Sequence, residues 1–384
     1  MSMNLVDSSS NDPVISDDDL LSLILLRVPI PSVLQFKSVS KRWLSIIDTP
    51  RFSLLRNALP LRTSALFLLP PISFYGVPDI IHFVPLDDHT HITSPFRNLT
   101  FLGDPGLLSK IRIVHSCGGL LLCSSGPLCT SLSEITEYIY NPTTNHLRTL
   151  PKHWPLHYGS ALAFDPSKSP HYKVLICGSP PDLSTDHGQF QIYSSKTGSW
   201  RASGHPFNLT CKADKLAWRN SVFFNGCIHW ISNLEYGCSY FNLDEERLHT
   251  MPRPPVGQDF FVGVSQNHLH VIEACPRDNS VQVYDMKYDY SGWLVKYKVD
   301  LSPVCQVFPE MYGNCSLVKV LSLVRRENFK DDSFLVFKIP GKVIRYNIVD
   351  RTFKAIWDIP VPDPLTSTPG DFKAFQYIES LSYV

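Results

Sequence analysis

The sequence predicts an α+β chain in two parts: a small helical module over residues 15–55 and an all-β, propeller-like domain over residues 61–384. Three observations carry this expectation. Up to residue 55 the apolar residues recur at helical spacing. Beyond Leu61 they fall in short alternating or continuous runs rich in β-branched and aromatic residues, punctuated by Pro, Gly, Asn and Asp. Those runs also repeat, because one hairpin phrase returns five times.

Residues 1–14 are mostly Ser, Asn and Asp with little to bury, which predicts a disordered lead-in. The stretch "ISDDDLLSLILLRVP" then sets Leu20, Leu21, Ile24, Leu25 and Val28 on one helical face. Ser16 and Asp19 stand at capping-box spacing, and the carboxylates of Asp17, Asp18 and Asp19 suit a positive helix N-terminus. Pro29 and Pro31 stop this helix, and Pro31 is placed to open a second, "SVLQFKSV". Ser40 is placed to cap a third, "KRWLSII", whose Trp43, Ile46 and Ile47 share a face. Pro50 starts a last turn with Phe52 pointing inward. Four short helices in about forty residues bury little surface by themselves, so the module is expected to need a partner that completes its core.

The five hairpin phrases are "YIYNPTTNHLRTLP" (138–151), "FQIYSSKTGSWRASGHP" (190–206), "SYFNLDEERLHTMPRPP" (239–255), "VQVYDMKYDYSGWLVKY" (281–297) and "VIRYNIVDRTFKAIWDIP" (343–360). Each is a strand ending in an aromatic residue, a tight polar turn and a returning strand. Taking Tyr140, Tyr193, Phe241, Tyr284 and Tyr346 as markers, the steps are 53, 48, 43 and 62 residues. Further strands precede each phrase, among them "GLLLC", "YKVLIC" and "SVFFNGCIHWIS". A period near fifty with about four strands per unit is the signature of a propeller of the kelch kind, since one blade cannot bury both its faces but a ring of blades can. The last run, "KAFQYIESLSYV", is expected to pair with "SALFLL" or "IIHFVPL" and close a ring of about six blades. Loops such as 76–80, 180–188 and 252–260 are expected on a rim.

Composition narrows the function. A formal net charge of zero argues against a dedicated nucleic-acid binder. No secretory leader and no bilayer-length apolar run are visible, so the ten Cys read as reduced thiols of a cytoplasmic or nuclear protein with no membrane role. Motifs for chemistry are scarce. His268 and His270 share a strand face near Glu273 and Cys275, but His270 aligns with His229 as a repeat element, which reads as structural. There is no C-x-x-C and no G-x-S-x-G, and "CGGLLLC" is a turn and a strand rather than a phosphate loop. Arg27, Lys37, Lys41 and Arg42 read as a solvated face. Trp154, Trp200, Trp218 and Trp293 read chiefly as blade packing. No catalytic residue, cofactor or metal is expected.

Residues 15–54 resemble an F-box, the helical module that docks a protein onto the Skp-family adaptor of a cullin-RING ubiquitin ligase. The likeness lies in the Leu/Ile run, the hydrophobic-Pro break, "VSKRW" and the trailing Pro and Phe. It implies that Leu20, Ile24, Leu25, Val28, Pro29, Leu34, Phe36, Val39, Trp43, Ile46 and Ile47 form the module's hydrophobic pattern, with contact to the adaptor mainly through Leu20, Ile24, Phe36 and Val39. Two positions depart from the family pattern: Ile15-Ser16 stands where Leu-Pro is usual, and Ser22 where an acidic residue is common. Residues 61–384 resemble the F-box-associated, kelch-like region of plant F-box proteins in "SCGGLLLC", "YNPTTNHLRTLP", "LAFDPSKSPHYKVLIC", "FFNGCIHWIS" and "YIESL". The resemblance implies the substrate-recognition subunit of an SCF-type ubiquitin ligase, with no chemistry of its own and a protein substrate held by the propeller. The alternatives are a kelch-type scaffold without ligase coupling and, third, an enzyme built on a propeller rim.

Overall fold

The computed structural model describes residues 18–57, 59, 62–69, 81–87, 110–126, 135–180, 187–208, 218, 220–232, 237–257, 259–275, 277–308, 317–326, 333–359 and 372–384. The lead-in over 1–14, the Ser16 cap, the Ile15-Ser16 departure, loop 76–80 and most of loop 180–188 lie outside these residues. No helix among the described residues is long and apolar enough to cross a membrane.

Four helices open the chain: α1 (Asp18–Leu25), α2 (Ile30–Phe36), α3 (Lys41–Ile47) and α4 (Pro50–Asn57). Their boundaries follow the local chemistry. Pro29 sits at the start of α2 with φ −53° and ψ 142°, and Pro31 occupies its first turn, where a missing N–H costs nothing. Ser40 caps α3 through its side chain, which accepts from the Trp43 backbone N–H at 3.2 Å. Thr49 does the same for α4, accepting from Phe52 N–H at 3.1 Å.

Among the described residues the strands form a six-bladed propeller. Strands β1 (Thr63–Leu69) and β2 (His82–Pro85) pair with each other and wait for a third strand from the far end of the chain. Blade one is β3 (Lys110–Cys117), β4 (Leu120–Gly126), β5 (Thr136–Asn141) and β6 (His146–Thr149). Blade two is β7 (Leu156–Ala163), β8 (Lys173–Ser179), β9 (His187–Ser194) and β10 (Ser199–Asn208). Blade three is β11 (Ser221–Phe224), β12 (Cys227–Trp230), β13 (Cys238–Asn242) and β14 (Arg247–Met251). Blade four is β15 (Phe260–Ser265), β16 (His268–Cys275), β17 (Ser280–Met286) and β18 (Trp293–Asp300). A short helix, α5 (Ser302–Val307), leads to blade five: β19 (Lys319–Val324), β20 (Phe334–Ile339), β21 (Lys342–Asn347) and β22 (Phe353–Asp358). Finally β23 (Lys373–Ile378) returns to β1 with Phe67 opposite Phe375 and Leu66 opposite Gln376, which closes blade six as the sequence predicts. The strand stops at Ile378, however, so residues 379–384 are not part of it.

Burial explains the continuous apolar runs. Six hydrophobic clusters fill the ring, one between each pair of neighbouring blades. Within β1, Ala65, Phe67 and Leu69 pack toward blade one, while the alternate residues Leu66 and Leu68 pack toward blade five. Likewise Leu120 and Leu122 face blade two and Leu121 and Cys123 face blade six. A strand buried on both faces has no polar side to alternate with. Each such Leu is worth roughly 1.5–3 kcal/mol of transfer free energy.

The repeated turns have a common mechanism. The side-chain oxygens of Asn141, Asn242 and Asn347 each accept from the backbone N–H two residues on, at 2.9 Å in all three. Four positions after each Asn the backbone turns left-handed, at Asn145, Glu246 and Arg351, and blade two places Gly198 there. Neighbouring blades are also joined through the closing prolines: Trp200 Nε1 donates to Pro151 O at 2.8 Å and Trp293 Nε1 to Pro252 O at 2.9 Å.

Candidate functional site

The expected hydrophobic pattern of the helical module divides in the structure into a core and a surface. Leu25 and Ile47 are buried, together with Leu21, Ile30, Val33 and Phe52. Val28, Leu34, Phe36, Trp43 and Ile46 are partly buried and pack against that core. Trp43 meets the Phe36 ring edge to face, with centroids 5.2 Å apart, and stays partly exposed. Leu20, Ile24 and Val39 lie outside, 39%, 42% and 57% exposed, and Pro29 is exposed as well. The α1 stripe that reads as one face is therefore two: Leu21 and Leu25 turn inward and Leu20 and Ile24 outward.

Two surface members do not stand out in the sequence pattern. Leu23 and Leu44 are exposed as well, and neither belongs to the helical faces that the sequence pattern picks out. Around them the charges are paired: Arg42 with Asp18 at 2.5 Å and Lys37 with Asp48 at 2.6 Å. Such exposed pairs are worth about 0–1 kcal/mol, so they shape the rim of the patch more than they hold the module together.

The missing piece of the core comes from the chain itself, which corrects the expectation that only a partner supplies it. Leu381 is buried among Leu21, Leu25, Ile30, Val33, Ile47 and Phe52. The strand after which it lies ends at Ile378, and residues 379–384 run between the helices and blade one. On the helical side, Ser53 Oγ donates to Leu381 O at 3.4 Å, Asn57 Nδ2 to Ser382 Oγ at 3.1 Å and Tyr383 OH to Asp48 O at 2.9 Å. On the propeller side, the fully buried Asn141 donates to Ser380 O at 3.0 Å and to Ser382 O at 2.7 Å. Gly119, at φ +87°, leaves room for this passage, because a Cβ there would lie 2.4 Å from the Ser380 Cβ. Burial pushes the Glu379 carboxyl upward against the opposing pull of Arg56, whose guanidinium also donates to Leu26 O. The sequence signal for this joint was "YIESL", which reads as the end of a strand.

Propeller topology fixes the opposite surface. The tail touches the first and third turns of blade one, at Gly119 and Asn141, so the second turns and the connectors between blades lie on the other rim. Connector 252–257 is there. Of the candidate ligating residues, His270 is buried with its ring near Phe261, and burial pushes its pKa down to about 3, with Arg325 adding to the effect. His229 is buried too, with Nε2 2.7 Å from Tyr290 OH. Both serve as packing elements in the described structure, and the carboxylate nearest His268 is Asp285 at 3.9 Å. Among the described residues the group with metal-ligand chemistry is a different one, Glu137, His153 and His157. The described cysteines 117, 123, 177, 227, 238, 275 and 305 are free thiols, and burial pushes Cys117 and Cys123 up to about 12, which makes them poor nucleophiles.

Comparison with known families places two matches on these two units. Residues 17–55 match the F-box domain, and residues 85–335 match the F-box associated beta propeller domain. Among curated proteins the chain is similar to F-box protein At5g07610 of Arabidopsis thaliana, at 32% identity over 98% of this chain and 94% of that one. It is also similar to F-box protein At5g49610, at 28% identity over 78% and 82% of the two chains, and to F-box/kelch-repeat protein At3g17530, at 26% over 67% and 63%, both from the same plant.

Proposed function

Because the chain belongs to the F-box proteins with a C-terminal F-box-associated β-propeller domain, we propose that it is the substrate-recognition subunit of an SCF-type ubiquitin ligase. The observation that supports this most is the exposure of Leu20, Leu23, Ile24, Val39 and Leu44 on a module whose core is filled by its other apolar residues together with Leu381. Several large apolar side chains exposed on one small module mark a docking face. A Skp-family adaptor, and through it the cullin-RING core, is the partner. Interfaces of this kind typically bury about 1,200–2,000 Å², with a few residues dominating affinity.

The mechanism is proximity. One end holds the adaptor, the uncovered rim of the propeller holds a protein substrate, and the tail 379–384 packed between them fixes the two ends in one orientation, which raises the local concentration of substrate lysines near the charged conjugating enzyme. The chain supplies no chemistry of its own. Its free cysteines accord with a cytoplasmic or nuclear setting.

Pull-down of the full chain and of Ile24→Asp/Val39→Asp with a Skp-family adaptor is the test. Capture by the natural sequence and roughly 100-fold weaker capture by the variant is the expected result. Absence of capture by either would overturn the ligase reading and favour a scaffold without ligase coupling.

A further inference from the structure

We propose that Glu137, His153 and His157 form a zinc site that clamps blade one to blade two on the rim away from the helical module. Glu137 is the second residue of β5, His153 lies on the connector after β6, and His157 is the second residue of β7. One ligand atom from each lies within 4.8 Å of the others. Two imidazoles and a carboxylate are a zinc donor set that leaves a fourth position for water or a substrate group.

The hydrogen bonds around the site argue for a cation rather than for packing alone. His153 Nδ1 lies 2.7 Å from the carbonyl oxygen of Trp154, which only accepts, so Nδ1 carries the ring hydrogen. His153 Nε2 then faces Glu137 Oε2 at 3.7 Å, too far for a hydrogen bond. That oxygen is buried and has no hydrogen-bond partner. A cation held between these two atoms would satisfy the buried carboxylate oxygen that the protein leaves without a hydrogen bond. A zinc ion about 2.1 Å from each would span this gap at an angle of about 120°, close to tetrahedral. His157 stands edge-on to His153 with ring centroids 4.7 Å apart and supplies the third donor.

The surroundings are those of an oriented ligand set. Ser160 Oγ on β7 donates to the other Glu137 oxygen at 2.5 Å, and the Trp154 carbonyl holds the His153 tautomer; such outer contacts aim metal ligands. The connector is held on both sides: Trp200 Nε1 binds Pro151 O at 2.8 Å and Trp154 N–H donates to Gln191 Oε1 at 3.3 Å. Sequence reading expected no metal. The H-x-x-x-H spacing of "HWPLH" is visible in it, but the carboxylate sits 16 residues upstream on another strand.

The experiment uses the full chain, stripped with a chelator and then titrated with zinc alone and with cobalt(II) alone. One equivalent of zinc per chain, a raised melting temperature and a tetrahedral cobalt spectrum lacking a thiolate charge-transfer band are expected. Glu137→Gln and His157→Asn should each weaken zinc by about 100-fold or more, and Ser160→Ala by about 10-fold. Melting of each variant without metal verifies its fold; should a variant fail to fold, the cobalt spectrum of the natural sequence decides. No zinc uptake tighter than about 10 μM, a thiolate band, or zinc affinity unchanged in the folded variants would overturn the site.

Discussion

The helical module and the propeller bury their apolar residues by different means. In the propeller every blade face meets another blade, and eight large hydrophobic side chains are exposed across all the described residues after 59. In the module, Leu20, Leu23, Ile24, Val39, Leu44, Leu55 and Leu59 make seven within about forty residues. A ring can satisfy itself by repetition, whereas four short helices cannot, so the module borrows Leu381 and still leaves a face open. The difference separates a unit that is complete from a unit that is built to be completed.

The sharpest way to break this comparison is Leu381→Asp. Even Leu→Ala at a buried core position costs about 2–5 kcal/mol, and a carboxylate there should melt helices α1–α4 while the blades keep their protection. Hydrogen exchange over residues 18–57 against blades two to four reads the outcome; equal loss in both would show that the units are not separable. Acid should act in the reverse direction. Burial lowers His115 and His229 to about 4 and His270 to about 3, all three lie in the propeller, and residues 1–81 contain no His. With folded pKa values below the unfolded value near 6.5, the unfolded chain binds more protons, so stability is full above about pH 6.5 and falls as pH drops toward 4. By pH 5 each group removes about 2 kcal/mol, and thermal melts at pH 7.5, 6 and 5 should show the propeller weakening; a flat series would mean these rings are less buried in solution.

Smaller effects sharpen the picture. Trp200→Phe keeps the ring packed on Tyr193 and His153 but removes the donor to Pro151, and should cost about 1 kcal/mol in urea unfolding. Lys37→Ala removes an exposed partner of Asp48 and should change stability by less than about 0.5 kcal/mol. A loss comparable to that of Trp200→Phe would mean that surface charge, and not Leu381, holds the module.

Much of this was legible in the residues. The five hairpin phrases became the outer two strands of blades one to five, because the aromatic-Asn turn and the period of fifty are local signals. Closure by "KAFQYI" followed from the need to remove sheet edges. Helix ends at Pro29, Ser40 and Pro50 followed from capping chemistry. What stayed hidden depends on distance along the chain. Leu21 faces inward onto a cluster that includes the remote Leu381, and Glu137 meets His153 and His157 only because two blades abut. A helical stripe tells which residues are apolar, not which of them a remote segment covers.

The tail also ties the order of synthesis to the order of assembly. Helices α1–α4 leave the ribosome before any blade, yet Leu381 follows Ser53 by 328 positions. At about 5–20 residues per second, roughly 16–66 s pass before the core residue arrives. During that interval the ring is open as well, since β23 comes from the same end of the chain. An interrupted chain therefore has helices without their last core side chain and a propeller without its closing strand, and the same dozen residues, 373–384, repair both.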